Sequence, residues 1–147
     1  MSGRAMTSEA ERQRRRSKTI LFAEDDAQMR KFIQAVLDEA GFTVIGTATG
    51  EQCLAKLTII KPVAILLDID MPGGMNGFET CMRIREAAPD LNCPIIFVTG
   101  RKTTEDVLAA RKLGAAHFVA KPLTPEKLID KVVAALGAQR SQSRSPV

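Results

Sequence analysis

The chain has 147 residues, 45% hydrophobic and 26% charged, which bounds it to one globular domain with room for a proper core. No apolar stretch reaches the length of a membrane span and no secretory signal opens the chain, so a cytoplasmic protein is expected. The net charge of +4 belongs to the ends: Arg4, Arg12, Arg14, Arg15, Arg16 and Lys18 outweigh Glu9 and Glu11, Arg140 and Arg144 add to them, and residues 19–139 are left mildly acidic.

Residues 1–18 combine that basic block with almost no large apolar side chains, which predicts a disordered tail. Thr19-Ile20-Leu21-Phe22-Ala23 then reads as a short buried strand, and Glu24-Asp25-Asp26 follows it at once. Met29, Phe32, Ile33, Val36, Leu37 and Ala40 recur at helical spacing, with Gly41 as the stop. Phe42 to Thr47 is strand-like, and Gly50 to Ile60 reads as a helix ended by Lys61-Pro62. Val63-Ala64-Ile65-Leu66-Leu67 is a third strand running into Asp68, and a glycine-rich loop over 71–77 leads to a helix from about Phe78 to Ala88.

Ile95 to Val98 is a fourth strand closing on Thr99-Gly100. Thr103-Thr104-Glu105-Asp106 has the form of a helix start, and that helix runs to Leu113 before Gly114. His117-Phe118-Val119-Ala120 is the fifth strand, followed by Lys121-Pro122. Thr124-Pro125-Glu126 opens the last helix, with Leu128, Ile129, Val132, Val133 and Leu136 on its buried face. Residues 138–147 read as a second disordered tail. Cys53, Cys81 and Cys93 are odd in number and share no metal-type spacing, which suits reduced thiols.

Five β-α units with short connections predict a parallel sheet covered by helices on both faces. Sites in such sheets form at the carboxyl ends of the strands, where strand order reverses. That rule gathers Glu24, Asp25 and Asp68 with Lys121 and Thr99. Packing gives no reason to collect so many carboxylates, and an unpaired buried one is costly. A divalent cation and a phosphoryl group would explain them. Mg²⁺ takes oxygen ligands, a carboxylate can accept a phosphoryl group, and Lys121 and the Thr99 hydroxyl can meet the added charge. Asp26, next to the helix start, reads as its cap. His117 has no assigned role.

The order Glu24-Asp25, then Leu66-Leu67-Asp68-Ile69-Asp70-Met71-Pro72, then Phe97-Val98-Thr99-Gly100, then Phe118-Val119-Ala120-Lys121-Pro122 resembles the receiver domain of two-component response regulators. The resemblance spans about residues 19–137 and implies a flavodoxin-like, doubly wound five-stranded parallel sheet with five helices. It implies that Asp68 takes a phosphoryl group from a histidine kinase or histidine phosphotransfer protein. Glu24, Asp25 and Asp68 would hold Mg²⁺ with the Asp70 backbone carbonyl. Thr99 and Phe118 would form a switch, and Lys121 would bind the phosphoryl group, before a cis Pro122. Partners would read the surface around the fourth helix, fifth strand and fifth helix of that fold, and a phosphorylation-dependent dimer stays open.

Four departures stand out: one extra residue in the 72–77 loop, Gly100 after the switch threonine, Phe118 without a tyrosine hydroxyl, and Glu24 in place of aspartate. The expected protein is a single-domain regulator that signals by protein contact or phosphate shuttling. It would be no enzyme beyond its own phosphoryl transfer and dephosphorylation. Two other classes compete. Asp68-Ile69-Asp70 also resembles the nucleophile motif of haloacid dehalogenase phosphatases, but here the acidic pair comes first and no cap domain follows. Arg12 to Arg16 could bind nucleic acid, yet the chain has no Tyr or Trp and an acidic body, which favours a solvated tail.

Overall fold

The computed structural model describes residues 8–100, 103–115 and 117–144, with 139–144 as helix backbone only. In chain order the elements are α1 (Glu9–Arg15), β1 (Thr19–Ala23), α2 (Ala27–Glu39), β2 (Thr43–Thr47), α3 (Gly50–Lys56) and β3 (Ala64–Asp68). They continue with α4 (Gly77–Ala87), β4 (Ile95–Thr99), α5 (Thr104–Lys112), β5 (His117–Ala120) and α6 (Pro125–Arg144).

All strand pairs are parallel, in the order β2-β1-β3-β4-β5. Successive side chains of a strand point to opposite faces, and that alternation builds two cores. Ile20, Phe22, Ala64 and Leu66 face α2 and α6, where Ile33, Leu37, Leu128 and Val132 cover them. Leu21, Ala23, Ile65 and Leu67 face the other layer, with Cys53, Cys81, Ile84 and Ala110 from α3, α4 and α5. Strands β3 and β4 are buried along their whole length, which is why their sequences read as unbroken apolar runs. The doubly wound five-stranded sheet is the one the sequence predicts.

Two features differ from the sequence reading. Residues 1–18 are expected to be disordered, but Glu9–Arg15 form α1, a sixth helix where five are predicted. Its start is a capping box: Glu11 N–H donates to Ser8 Oγ at 3.1 Å, and Ser8 N–H donates to Glu11 Oε1 at 3.0 Å. It docks through arginine stems rather than apolar side chains, the one mode a composition argument does not register. Arg15 donates to the Ala40 carbonyl at 3.1 Å and lies 5.3 Å over the Phe42 ring. Gly41 makes this approach feasible: its φ is +107°, and a Cβ there would sit 2.5 Å from Arg12 Cα.

The predicted C-terminal tail also begins too early, since α6 continues to Arg144. No proline or left-handed glycine stops it, because Gly137 keeps helical backbone. Residues 1–7 and 145–147 of the two predicted tails lie outside the described residues. Elsewhere the shifts are small. Helix α3 ends at Lys56 rather than Ile60, where Leu57, Thr58 and Ile59 close tighter three-residue turns ahead of Pro62.

Candidate functional site

Strand register alone brings the acidic residues together. Ala23 pairs with Leu67, so Glu24 and Asp68 leave adjacent strands side by side, where the order turns from β1 toward β3. Asp68 pairs with Val98, which puts Thr99 one step beyond it. Thr99 pairs with Ala120, so Lys121 follows on the next strand, and its N–H donates to the Thr99 carbonyl at 2.8 Å. Carboxylate oxygens of Glu24, Asp25 and Asp68 all lie within 4.8 Å of one another. Asp26 stands apart as the cap of α2, accepting the Met29 N–H at 2.9 Å.

Glu24 and Asp68 are almost fully buried, at 1% and 3% exposure, while Asp25 is exposed. The Lys121 ammonium bridges the buried pair, 3.3 Å from Glu24 Oε1 and 3.4 Å from Asp68 Oδ2. Two buried carboxylates against one ammonium leave excess negative charge, and like charges this close resist joint ionisation. Burial pushes Glu24 up to about 7; the Asp26 N–H pulls it down and the charge of Asp68 adds to the rise. Burial raises Asp68 as well, against the pull of Lys121. For Lys121, burial works downward, but Asp68 and Glu24 outweigh it and hold the ammonium above its usual value.

Glu24 Oε2 accepts the Asp26 N–H at 3.1 Å, but Oε1 is buried and accepts no hydrogen bond despite facing Lys121. A buried carboxylate oxygen met only by an ammonium it shares with Asp68, beside two more carboxylates, fits a hard divalent cation with oxygen ligands such as Mg²⁺. Asp70 has an exposed side chain, and its N–H donates to Asp68 Oδ1 at 3.2 Å.

Thr99 is buried and Phe118 half-buried. Phe97 and Thr99 share a face of β4 by alternation, and Phe97 pairs with Phe118. The rings of Phe78, Phe97 and Phe118 form a file, with centroids 4.9 Å apart in the first pair and 5.9 Å in the second. The peptide bond before Pro122 is cis, as the sequence resemblance implies.

Sequence reasoning missed the groups that hold the site in place. Arg30, one turn into α2, donates to the carbonyls of Glu24 and Asp25 at 2.9 and 3.2 Å. Thr47 Oγ donates to the Phe22 carbonyl at 2.8 Å, and its own carbonyl accepts the Glu24 N–H at 3.0 Å. Gly77 lets the lengthened loop return: its N–H donates to the Ile69 carbonyl at 3.0 Å, and a Cβ would lie 2.5 Å from the Asp68 oxygen. An arginine four residues after an acidic cluster at a helix start is a signal for Arg30. Only the fold reveals the other two. A Cβ at Gly100 would meet nothing within 4 Å, so packing does not demand that glycine.

The response regulator receiver domain model matches residues 20–133. Among curated proteins, the DNA-binding response regulator MtrA of Mycolicibacterium paratuberculosis is 33% identical over 117 residues, 80% of this chain and 50% of that protein. The protein-glutamate methylesterase/protein-glutamine glutaminase of Geobacillus kaustophilus is 38% identical, over 86% of this chain and 41% of its own. The chain thus spans about half the length of the curated relatives it matches. Among solved structures, a CheY-like receiver domain protein from Methanospirillum hungatei has a TM-score of 0.77 at 28% identity, covering 85% of this chain and 98% of its own. Chemotaxis protein CheY4 of Vibrio cholerae also has a TM-score of 0.77, at 27% identity, covering 80% and 98%. With two thirds or more of its residues matched and the sheet order in agreement, the chain belongs to the response regulator receiver domain family.

Proposed function

We propose that Asp68 is the phosphoryl acceptor of a two-component signalling protein, charged by a histidine kinase or a histidine phosphotransfer protein. One observation carries the reading: a buried aspartate at a strand end, paired through one lysine to a second buried carboxylate, so that two carboxylates share a single ammonium. An Asp68 oxygen forms the new bond to phosphorus as the donor's P–N bond breaks, and the electron pair leaves with the imidazole nitrogen. Glu24 and Asp25, with Asp68 and the Asp70 carbonyl, would hold Mg²⁺, which supplies charge neutralisation for the transferring group.

Lys121 is released from a bridge between two carboxylates to a partner that carries more charge. Thr99 offers its hydroxyl to a phosphoryl oxygen, and its displacement opens space for Phe118 along the Phe97 ring. The signal then leaves by contact with another protein or by onward phosphoryl transfer, and the chain turns over no other substrate. It works in the cytoplasm; among the described residues no helix is long and apolar enough to cross a membrane.

The test is intact-mass measurement after incubation with Mg²⁺ and acetyl phosphate. Wild type gains one phosphoryl group, and both Asp68→Asn and removal of Mg²⁺ by chelation prevent it. Equal labelling of wild type and Asp68→Asn would overturn the assignment.

A further inference from the structure

Far from the phosphoryl site, α1 and α6 enclose a pocket at the amino end of the sheet. It has a volume of about 250 Å³. Phe42, Val133 and Leu136 supply its apolar lining, and Arg14, Arg15 and Lys18 its cationic lining. Phe42 is buried, whereas Val133 is 41% exposed and Leu136 half-buried, so the pocket wall on α6 is open to water. The pocket exists because α1 is folded and docked; an unstructured tail would leave Phe42 and Val133 open to water.

The cations differ in what they already do. Arg15 is spent on the Ala40 carbonyl, the Phe42 ring and Glu11, which lies 3.7 Å away. Glu11, the one carboxylate in the lining, is spent on Arg15 and the Ser8 cap. Arg14 and Lys18 make no side-chain hydrogen bond or ion pair among the described residues, and Arg14 only feels the Glu11 charge at longer range. Two uncommitted cations therefore flank an apolar lining whose exposed member is Val133. Pockets for whole drug-sized ligands run from about 300 to 1,000 Å³. This one is smaller and suits a single side chain, the size of an interface anchor.

We propose that this pocket docks an acidic peptide segment of a partner protein, with one large apolar side chain inserted against Phe42, Val133 and Leu136 and flanking carboxylates paired to Arg14 and Lys18. Nucleic acid is the weaker occupant: the pocket offers no Tyr or Trp for base stacking, and its one ring, Phe42, is buried under Arg15. The proposal is independent of the chemistry at Asp68, since it uses none of that site's residues.

The experiment titrates the isotopically labelled full chain with a capped peptide of one leucine flanked by glutamates, followed by amide NMR. Expected are saturable shifts at Lys18, Phe42, Val133 and Leu136. Affinity should fall about tenfold or more in the Arg14→Glu/Lys18→Glu double variant, fall steeply with added salt, and fall again when the peptide leucine becomes serine. Asp68 labelling by acetyl phosphate should be unchanged in that variant, which shows the fold is intact. If the double variant is unstable, Val133→Gln serves instead and should weaken binding of the leucine peptide alone. Absence of shifts at about 2 mM peptide, shifts that survive the variants, or tighter binding of a single-stranded oligonucleotide to the same residues would each overturn the proposal.

Discussion

At the carboxyl end of the sheet, Glu24 and Asp68 lie buried side by side and share a single ammonium. At the amino end, Arg15 is held by a carbonyl, a ring and a carboxylate, and Thr43 Oγ ties down the Arg16 carbonyl at 2.7 Å. The same fold buries excess negative charge at one end, whereas at the other the half-buried Arg15 is fully partnered and the uncommitted Arg14 stays at the surface. Local rules that a sequence breaks tend to mark function, and rules it satisfies tend to mark stability. The carboxyl end gives up stability to hold an acidic cluster ready, while the amino end recovers some through an added helix.

The largest expected effect comes from removing the ammonium that bridges the two buried carboxylates. Lys121→Ala should slow labelling by acetyl phosphate by about a hundredfold, the usual scale for losing a charge stabiliser. It also leaves Glu24 and Asp68 facing each other without their bridge, so Glu24 should hold its proton to still higher pH. Labelling at the wild-type rate would show that the bridge serves the fold rather than the chemistry.

At the opposite end, Gly41→Ala should cost about 2–3 kcal/mol, because it strains a backbone with φ +107° and drives a Cβ into the Arg12 main chain. Gly100→Ala near the site should cost under about 0.5 kcal/mol, since a Cβ there meets nothing within 4 Å. Denaturant melts of the two variants give the comparison directly. Equal losses would mean that α1 is not docked as described.

The pH response should separate the ends again. Glu24 has its carboxyl raised to about 7 in the folded protein from an unfolded value of 4.5, so the folded state binds more protons between those limits. Stability of the Mg²⁺-free protein is therefore fully present below pH 4.5 and falls as pH rises toward 7, by on the order of 2 kcal/mol. His117 works in the opposite sense: burial, with Lys131 adding, lowers it, so its contribution rises with pH through the imidazole range. Melts in a His117→Gln background isolate the slope of the Glu24–Asp68 pair, since burial raises Asp68 as well. Added Mg²⁺ should flatten it, because binding stabilises the protein where the carboxylates are ionised.

Much of this was legible in the residues. Short apolar runs gave the strands, and the rule for parallel sheets placed Glu24, Asp25, Asp68, Thr99 and Lys121 on one edge before any coordinates. What could not be read was contact made across sequence distance without an apolar signal. Helix α1 hides in a basic stretch because arginine stems, a ring and a glycine dock it. Thr47 and Gly77 look like ordinary strand and loop residues until the fold brings a carbonyl to each. The end of α6 was missed for a related reason: residues 138–144 carry too few large apolar side chains to signal a helix, yet the backbone continues through Gly137, which does not turn left-handed.

The smallest effect tests how α1 is held. Arg15 and Arg16 are neighbours of identical chemistry, and sequence alone cannot rank them. Arg15 keeps its side chain 16% exposed and satisfies the Ala40 carbonyl at the end of α2 while covering Phe42. Arg16 meets Asp38 at 3.2 Å with both side chains more than half exposed, where water and salt screen the pair. Arg15→Ala should therefore lower stability by about 1–2 kcal/mol, through a lost hydrogen bond, a lost cation–π contact and an uncovered ring. Arg16 also donates to the Phe42 carbonyl at a long 3.4 Å. Arg16→Ala should cost under about 0.5 kcal/mol, and the ion-pair share of that loss should vanish in high salt, whereas the Arg15 loss should persist. If the two variants melt alike, the basic block binds the body as a diffuse charge, and the contrast between the two ends of the sheet fails at the amino end.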